Sequence, residues 1–195
     1  MSRVLMVCTG NICRSPLAAL LLRERLGDEL VGVASAGTRT GQGFAMTRKA
    51  ARSALALGVD AAAVAGHRST PLTTTMLDEQ DLVLTMTRAH RRAVVSLAPR
   101  AVSSTFTLRE FARLAAAIDH DSRAQVDEAD PRGRLRALLL RAQSSRGSLP
   151  FPSAPDLDDI ADPYRRSAEA YARAAEQIEP AVDVVARVIR LAHVG

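Results

Sequence analysis

The chain has 195 residues, 47% apolar and 24% charged, which suits one globular domain with a substantial core and is marginal for two. Its net charge of +5 is carried almost wholly by arginine, with Lys49 the single lysine and aromatics only 3% of residues. The arginines are dispersed and stacking aromatics are scarce, which argues against a nucleic-acid surface, and no apolar run is long enough to span a membrane.

The start, Met1 to Cys8, lacks a cleavable leader pattern, so a cytoplasmic protein is expected, as a monomer or weak dimer. Two cysteines, Cys8 and Cys13, and four histidines form neither a disulfide framework nor a zinc constellation. No metal or cofactor is expected.

In chain order, Arg3 to Val7 is a short apolar, β-branched run and predicts a buried strand. Ser15, Pro16 and Gly27 then bracket a helix, the serine as cap, the proline at its first position and the glycine as its stop. Leu30 to Thr38 predicts a second strand ending in a glycine turn, and Ala45 to Gly58 a second helix. A short helix within Thr70 to Gln80 precedes a third strand, Asp81 to Met86. A helix over Thr87 to Pro99, a fourth strand over Ala101 to Leu108 and a helix over Arg109 to Ile118 follow. Alternation of apolar strands with amphipathic helices predicts an α/β domain, 1–195, with a central four-stranded, mostly parallel sheet flanked by helices. From about 119 to 159 the pattern degrades into charged and Ser/Pro/Gly-rich stretches around one helix at Leu135 to Gln143, and reads as a surface insertion. A long helix from Ser167 to Val194, bent at Pro180, closes the chain.

The first strand runs into Cys8-Thr9-Gly10-Asn11-Ile12-Cys13-Arg14-Ser15-Pro16. In parallel sheets ligands sit beyond the carboxyl ends of strands. A loop of this length, closing into a helix, turns backbone N–H groups inward toward a phosphate-sized anion. Gly10 lets the backbone approach without a Cβ, and Arg14 offers a planar fork matched to two phosphate oxygens. The same positive field favours a thiolate at Cys8, a nucleophile in line with the bound phosphorus, while Ser15 can donate to the sulfur as it leaves.

This loop strongly resembles the phosphate-binding loop of the low-molecular-weight protein tyrosine phosphatases. The resemblance continues in Ser35-Ala36-Gly37-Thr38, His67 to Thr73, Asp81 to Met86 and Asp162-Pro163-Tyr164, in the family's order. It implies hydrolysis of phosphotyrosine in protein substrates through a phosphocysteine on Cys8. Arg14 and the amides of Thr9, Gly10, Asn11, Ile12 and Cys13 would hold the phosphate, and an Asp-Pro aspartate would act as general acid and base. Of the two such pairs, Asp162-Pro163 has the following tyrosine and terminal helix that the family pattern requires; Asp130-Pro131 lies in the charged insertion. Asn11, Ser35 and His67 match positions that hold the loop in shape, Tyr164 flanks the mouth, and Cys13 matches the family's second loop cysteine, which can pair reversibly with the nucleophile.

The chain departs from the family after Thr38. Gly41 stands near the place of a bulky aromatic that walls the substrate cleft. Phe44, a more open cleft, or a wall from the insertion are the alternatives. Arg165 and Arg166 after Tyr164 would favour acidic substrate sequences. Two rival functions share the motif: an arsenate reductase of the same fold, for which no downstream relay cysteine is present, and a non-catalytic phosphate-binding regulator, which would need neither thiolate nor acid.

Overall fold

The computed structural model describes residues 1–27, 30–116, 118, 130–147 and 154–193. Four strands, β1 (Ser2–Cys8), β2 (Val31–Gly37), β3 (Leu82–Thr85) and β4 (Thr105–Thr107), form one sheet in the order β2-β1-β3-β4. All three pairings are parallel. Eight α-helices among the described residues flank it: α1 (Arg14–Leu26), α2 (Arg48–Ala56), α3 (Ala61–Gly66), α4 (Thr74–Asp78), α5 (Arg88–Leu97), α6 (Leu108–Ala115), α7 (Pro131–Ser144) and α8 (Ala168–His193).

The period-2 geometry of strands divides the core. Val4, Met6 and Cys8 of β1, with Leu82 and Leu84 of β3, face a large cluster that holds apolar residues of α1, α6, α7 and α8. Leu5, Val7 and Val83 face the smaller cluster with Leu77 of α4 and Val94 of α5. Cys8 therefore points to the α1 side from the last residue of the central strand. Because β1 runs out to β2 on one side and the chain returns through β3 on the other, the order reverses between β1 and β3. A crevice opens there, at the carboxyl ends of both strands.

Several elements differ from the sequence expectation for identifiable reasons. Helix α1 begins at Arg14, and no side chain caps it; Ser15 is committed to the loop instead. Gly27 does stop it, at φ 72°. The expected fourth strand is halved: Pro99–Ser103 is a turn of 3-10 helix, closed by the Thr105 hydroxyl donating to the Ala101 carbonyl at 2.6 Å. Thr107 and Glu110 then form a reciprocal capping box that starts α6. Helix α3, capped by Asp60, was not foreseen. Helix α8 continues through Pro180.

Residues 119–129 and 148–153 of the expected insertion lie outside the described residues. Within it, α7 is capped by Asp130, whose carboxylate accepts the N–H groups of Arg132 and Gly133 at 2.8 and 3.1 Å. Its Leu135, Leu138, Leu139 and Ala142 are buried in the main core, and Arg134 Nε donates to the Ala192 carbonyl of α8 at 2.6 Å. This helix is thus integral to the α8 side of the sheet.

Leu135 is fully buried and Leu140, five residues on, is 57% exposed. Leu135→Ala is expected to lower unfolding free energy by about 2–5 kcal/mol and Leu140→Ala by no more than about 0.5 kcal/mol, measured by urea denaturation. Equal small losses would show that α7 is peripheral.

Candidate active site

The loop from Cys8 to Arg14 is organised around Asn11. This residue is fully buried and sits at φ 51°, a left-handed conformation that asparagine adopts more readily than other non-glycine residues. Its backbone N–H donates to Cys8 Sγ at 3.2 Å. Its amide nitrogen donates to Ser15 Oγ at 3.0 Å and to Ser35 Oγ at 2.8 Å, and its amide oxygen accepts the Thr70 N–H at 2.9 Å. Its carbonyl accepts from His67 Nε2 at 2.7 Å, so that nitrogen carries a hydrogen. Burial, only partly offset by this hydrogen bond, holds the His67 pKa below the ordinary histidine value.

Ser15 Oγ lies 3.0 Å from Cys8 Sγ. Since that oxygen already accepts from Asn11, its own hydrogen is free to donate. The sulfur is the nearer acceptor, the Ala36 carbonyl standing at 3.5 Å. Cys8 Sγ thus receives two converging hydrogen bonds at the base of the loop.

The loop is braced by the end of β2. Thr38 N–H donates to the Cys8 carbonyl and Arg39 N–H to the Thr9 carbonyl, both at 2.9 Å. A Cβ on Gly37 would lie 2.7 Å from that Thr9 oxygen, so glycine is a steric requirement there. A Cβ on Gly10 would meet only the Ile12 side chain, at 3.4 Å and beyond.

Arg14, only 4% exposed, donates through Nη1 to the Ile160 carbonyl at 2.9 Å and pairs through Nη2 with Asp162 Oδ2 at 3.0 Å. Its Nε is buried without a protein partner. Asp162, 49% exposed, also accepts the Tyr164 N–H at 3.2 Å. Asp130, as the cap of α7, has no part in this assembly. The Asp162 segment is fixed upstream: Ile160 N–H donates to the Met86 carbonyl at 2.8 Å, Asp159 accepts the Arg88 N–H at 2.7 Å and pairs with its guanidinium, and Asp158 pairs with Arg113 at 2.9 Å.

A cleft of about 550 Å³ opens above Cys8, lined by Thr9, Gly10, Ile12, Cys13 and Arg14 at its base and by Arg39, Gly41, Phe44, Asp162 and Tyr164 higher up. Phe44 supplies the aromatic wall: its ring lies over Gly41, where a Cβ would stand 2.9 Å from Cε2. Ser69 clamps this turn, accepting the Phe44 N–H on its hydroxyl at 3.0 Å and donating its own N–H to the Phe44 carbonyl at 2.8 Å. Both cysteines are free. Cys13 Sγ stands 3.4 Å from Thr47 Oγ1 and 3.8 Å from the Tyr171 hydroxyl, and burial pushes its pKa up.

Sequence reasoning missed His90. It is buried at the start of α5, with Nε2 2.8 Å from Thr9 Oγ1 and Nδ1 2.9 Å from Thr87 Oγ1. It thereby ties the phosphate loop to the segment after β3, across the crevice. The available signal was Thr87, a helix cap that fixes the residue three positions later against it.

A sequence model described as low molecular weight phosphotyrosine protein phosphatase matches residues 3–135. The chain belongs to this phosphatase family. It is 40% identical over 111 residues, covering 56% of the chain and 70% of the relative, to a protein-arginine-phosphatase of Geobacillus stearothermophilus. It is 29% identical over 180 residues, covering 92% and 90%, to a probable low molecular weight protein-tyrosine-phosphatase, EpsP, of Ralstonia nicotianae. Among solved structures, Vibrio vulnificus Wzb in complex with benzylphosphonate superposes with a TM-score of 0.66 at 27% identity, covering 95% and 97% of the two chains. The family match ends before Asp162, whose position rests on the geometry above. As in its relatives, the chain is a phosphatase, and no described helix is long and apolar enough to cross a membrane.

Burial and the charge of Arg14, against the weaker opposing influence of Asp162 and Asp159, lower the His90 pKa to about 4. Between that value and the roughly 6.5 of an unfolded histidine the unfolded chain binds more proton, so folding stability falls as pH drops through this window. Wild type is therefore expected to lose more stability between about pH 7 and about pH 5 than His90→Asn, compared by urea midpoints. Equal losses would mean that His90 is not held neutral.

Proposed function

We propose that this phosphatase hydrolyses phosphotyrosine in proteins through a cysteinyl-phosphate intermediate. The observation that carries this is the convergence, at the base of one cleft, of Cys8 Sγ with two hydrogen-bond donors and of Arg14 with a buried, unpartnered Nε. The Cys8 thiolate attacks phosphorus; an S–P bond forms as the bond to the phenolic oxygen breaks. Arg14 and the loop N–H groups stabilise the charge on the three equatorial oxygens, which is where catalysis of phosphoryl transfer mainly lies. Asp162 gives its proton to the departing phenolate. Its carboxylate then takes a proton from water, whose oxygen attacks phosphorus. The sulfur leaves as a thiolate stabilised by the Ser15 hydroxyl and the Asn11 N–H.

The cleft fits an aryl ester. Phe44 and Tyr164, 58% and 44% exposed, stand as aromatic faces above the loop, where offset or edge packing on a ring is favourable. The structurally similar Wzb is a complex with benzylphosphonate, itself an aromatic phosphonate. The space at Gly10, where only Ile12 is near, lets the loop backbone close on phosphate oxygens. A second reading, phosphoarginine hydrolysis, is favoured by the relative at 40% identity named a protein-arginine-phosphatase. Phosphotyrosine and phosphoarginine compared on one preparation separate the two; faster phosphoarginine turnover would replace the aryl ester with an N-phosphoguanidine, whose P–N bond breaks.

Cys8→Ser is expected to abolish turnover of p-nitrophenyl phosphate measured with chelator present, while the wild type remains active under the same conditions. Residual wild-type rates in the variant would remove the covalent intermediate.

Asp162→Ala is expected to slow phenyl phosphate, a poor leaving group, by about 10²–10⁴-fold, and p-nitrophenyl phosphate much less. Equal slowing of both esters would remove Asp162 from the acid role.

A further inference from the structure

The two lips of the cleft are unusually one-signed. Residues 37–59 hold Arg39, Arg48, Lys49 and Arg52 and no acid, and residues 163–168 hold Arg165 and Arg166 and no acid. These two segments meet: Lys49 Nζ donates to the Arg166 carbonyl at 2.6 Å. Arg39 is exposed and lines the cleft. Arg165 lies with its guanidinium carbon 5.3 Å from the centre of the Tyr164 ring, at φ 61°, beside the mouth.

The charges on these two lips lack carboxylate partners, unlike several arginines elsewhere in the fold. Arg3, Arg25, Arg88, Arg100, Arg113, Arg132 and Arg146 each pair with a carboxylate of the fold. Arg39, Arg48, Arg52, Arg165 and Arg166 have no ion pair among the described residues. The nearest compensation is Glu169, which feels Lys49 and Arg173. Asp162, the one acid lining the cleft, is already paired with Arg14.

We infer that this rim recognises acidic residues flanking the phosphotyrosine, so that the preferred substrates are phosphotyrosines within Asp/Glu-rich segments. This rests on the aryl-ester reading above and adds the substrate class. The aromatic faces hold the ring, the loop holds the phosphate, and the peptide on either side crosses Arg39 on one lip and Arg165 on the other. Exposed pairs of this kind are individually weak, and they act on encounter rate and register more than on chemistry. Two such pairs amount to about 2- to 30-fold in kcat/KM at low salt.

The test is kcat/KM on two phosphotyrosine peptides of equal length, one with glutamates on both sides and one with lysines, at low and high salt. The acidic peptide is expected to be preferred by about 2- to 30-fold at low salt, with the ratio shrinking as salt rises. In the doubly substituted Arg39→Glu, Arg165→Glu protein the ratio is expected to fall to unity or invert. A ratio near one in the wild type, a ratio insensitive to salt, or a ratio unmoved by the charge reversal overturns the inference. Hydrolysis of neither peptide rejects the phosphotyrosine reading as well, whereas equal hydrolysis of both rejects the acidic rim alone.

Discussion

One buried asparagine holds the site together. Asn11 spends its N–H on Cys8, its carbonyl on His67, its amide oxygen on Thr70 and its amide nitrogen on Ser15 and Ser35. These partners come from the loop itself, the first turn of α1, the middle of β2 and the segment after α3. A left-handed residue costs conformational energy unless its surroundings over-determine it, and five hydrogen bonds do so here. The constraint is also directional. By filling the acceptor capacity of Ser15 on one side, Asn11 turns the serine hydrogen toward the sulfur. An aspartate at this position has no amide hydrogens for either serine, and a glutamine is a methylene too long for the same span.

The second constraint lies on the other side of the crevice. The Thr9 hydroxyl reaches His90, and His90 reaches the cap of its own helix. Burial beside Arg14 keeps the imidazole neutral, since a second buried positive charge would be repelled by the guanidinium. With Gly37 admitting the Thr9 carbonyl from the β2 side, the loop is gripped from both flanks of β1. That grip exists only because β2 and β3 lie on opposite sides of the central strand.

The sequence made the alternation of elements, the parallel sheet and the loop motif legible because each is written locally, in apolar runs, glycine stops and contiguous spacing. Asn11, Ser35 and His67 can be named from the family resemblance and Ser15 from its place beside the Cys8 sulfur, though not their shared hydrogen-bond geometry. Ser15 carries two signals, a helix cap before a proline and a donor to the sulfur, and the structure realises the contact with Cys8 and not the cap. What His90 contacts and why position 37 must be glycine depend on distant residues. The histidine is buried with a partner 81 residues away; the glycine is required by the Thr9 carbonyl of the loop after β1. The aromatic wall lay between: Phe44 was visible as an alternative, but its placement over Gly41 depends on Ser69 clamping the turn. The burial of α7 escaped because a charged, Ser/Pro-rich setting masked its apolar face.

The Asp162 carboxylate is positioned by Arg14, the same side chain that lines the base of the cleft. Arg14 divides its fork between the Ile160 carbonyl and the Asp162 carboxylate, leaving Nε buried without a protein partner. The segment it grips is pinned upstream by Asp158 to α6 and by Asp159 to the first turn of α5, with Ile160 buried and bonded to Met86. The Asp162 segment and the base of the cleft are therefore coupled through one planar group rather than assembled separately. A lysine at position 14 would retain a positive charge yet lack the rigid fork that makes both connections at once. Its flexible ammonium can reach the Ile160 carbonyl or the Asp162 carboxylate but not hold both in one plane, and the fixed placement of Asp162 over the cleft would be lost.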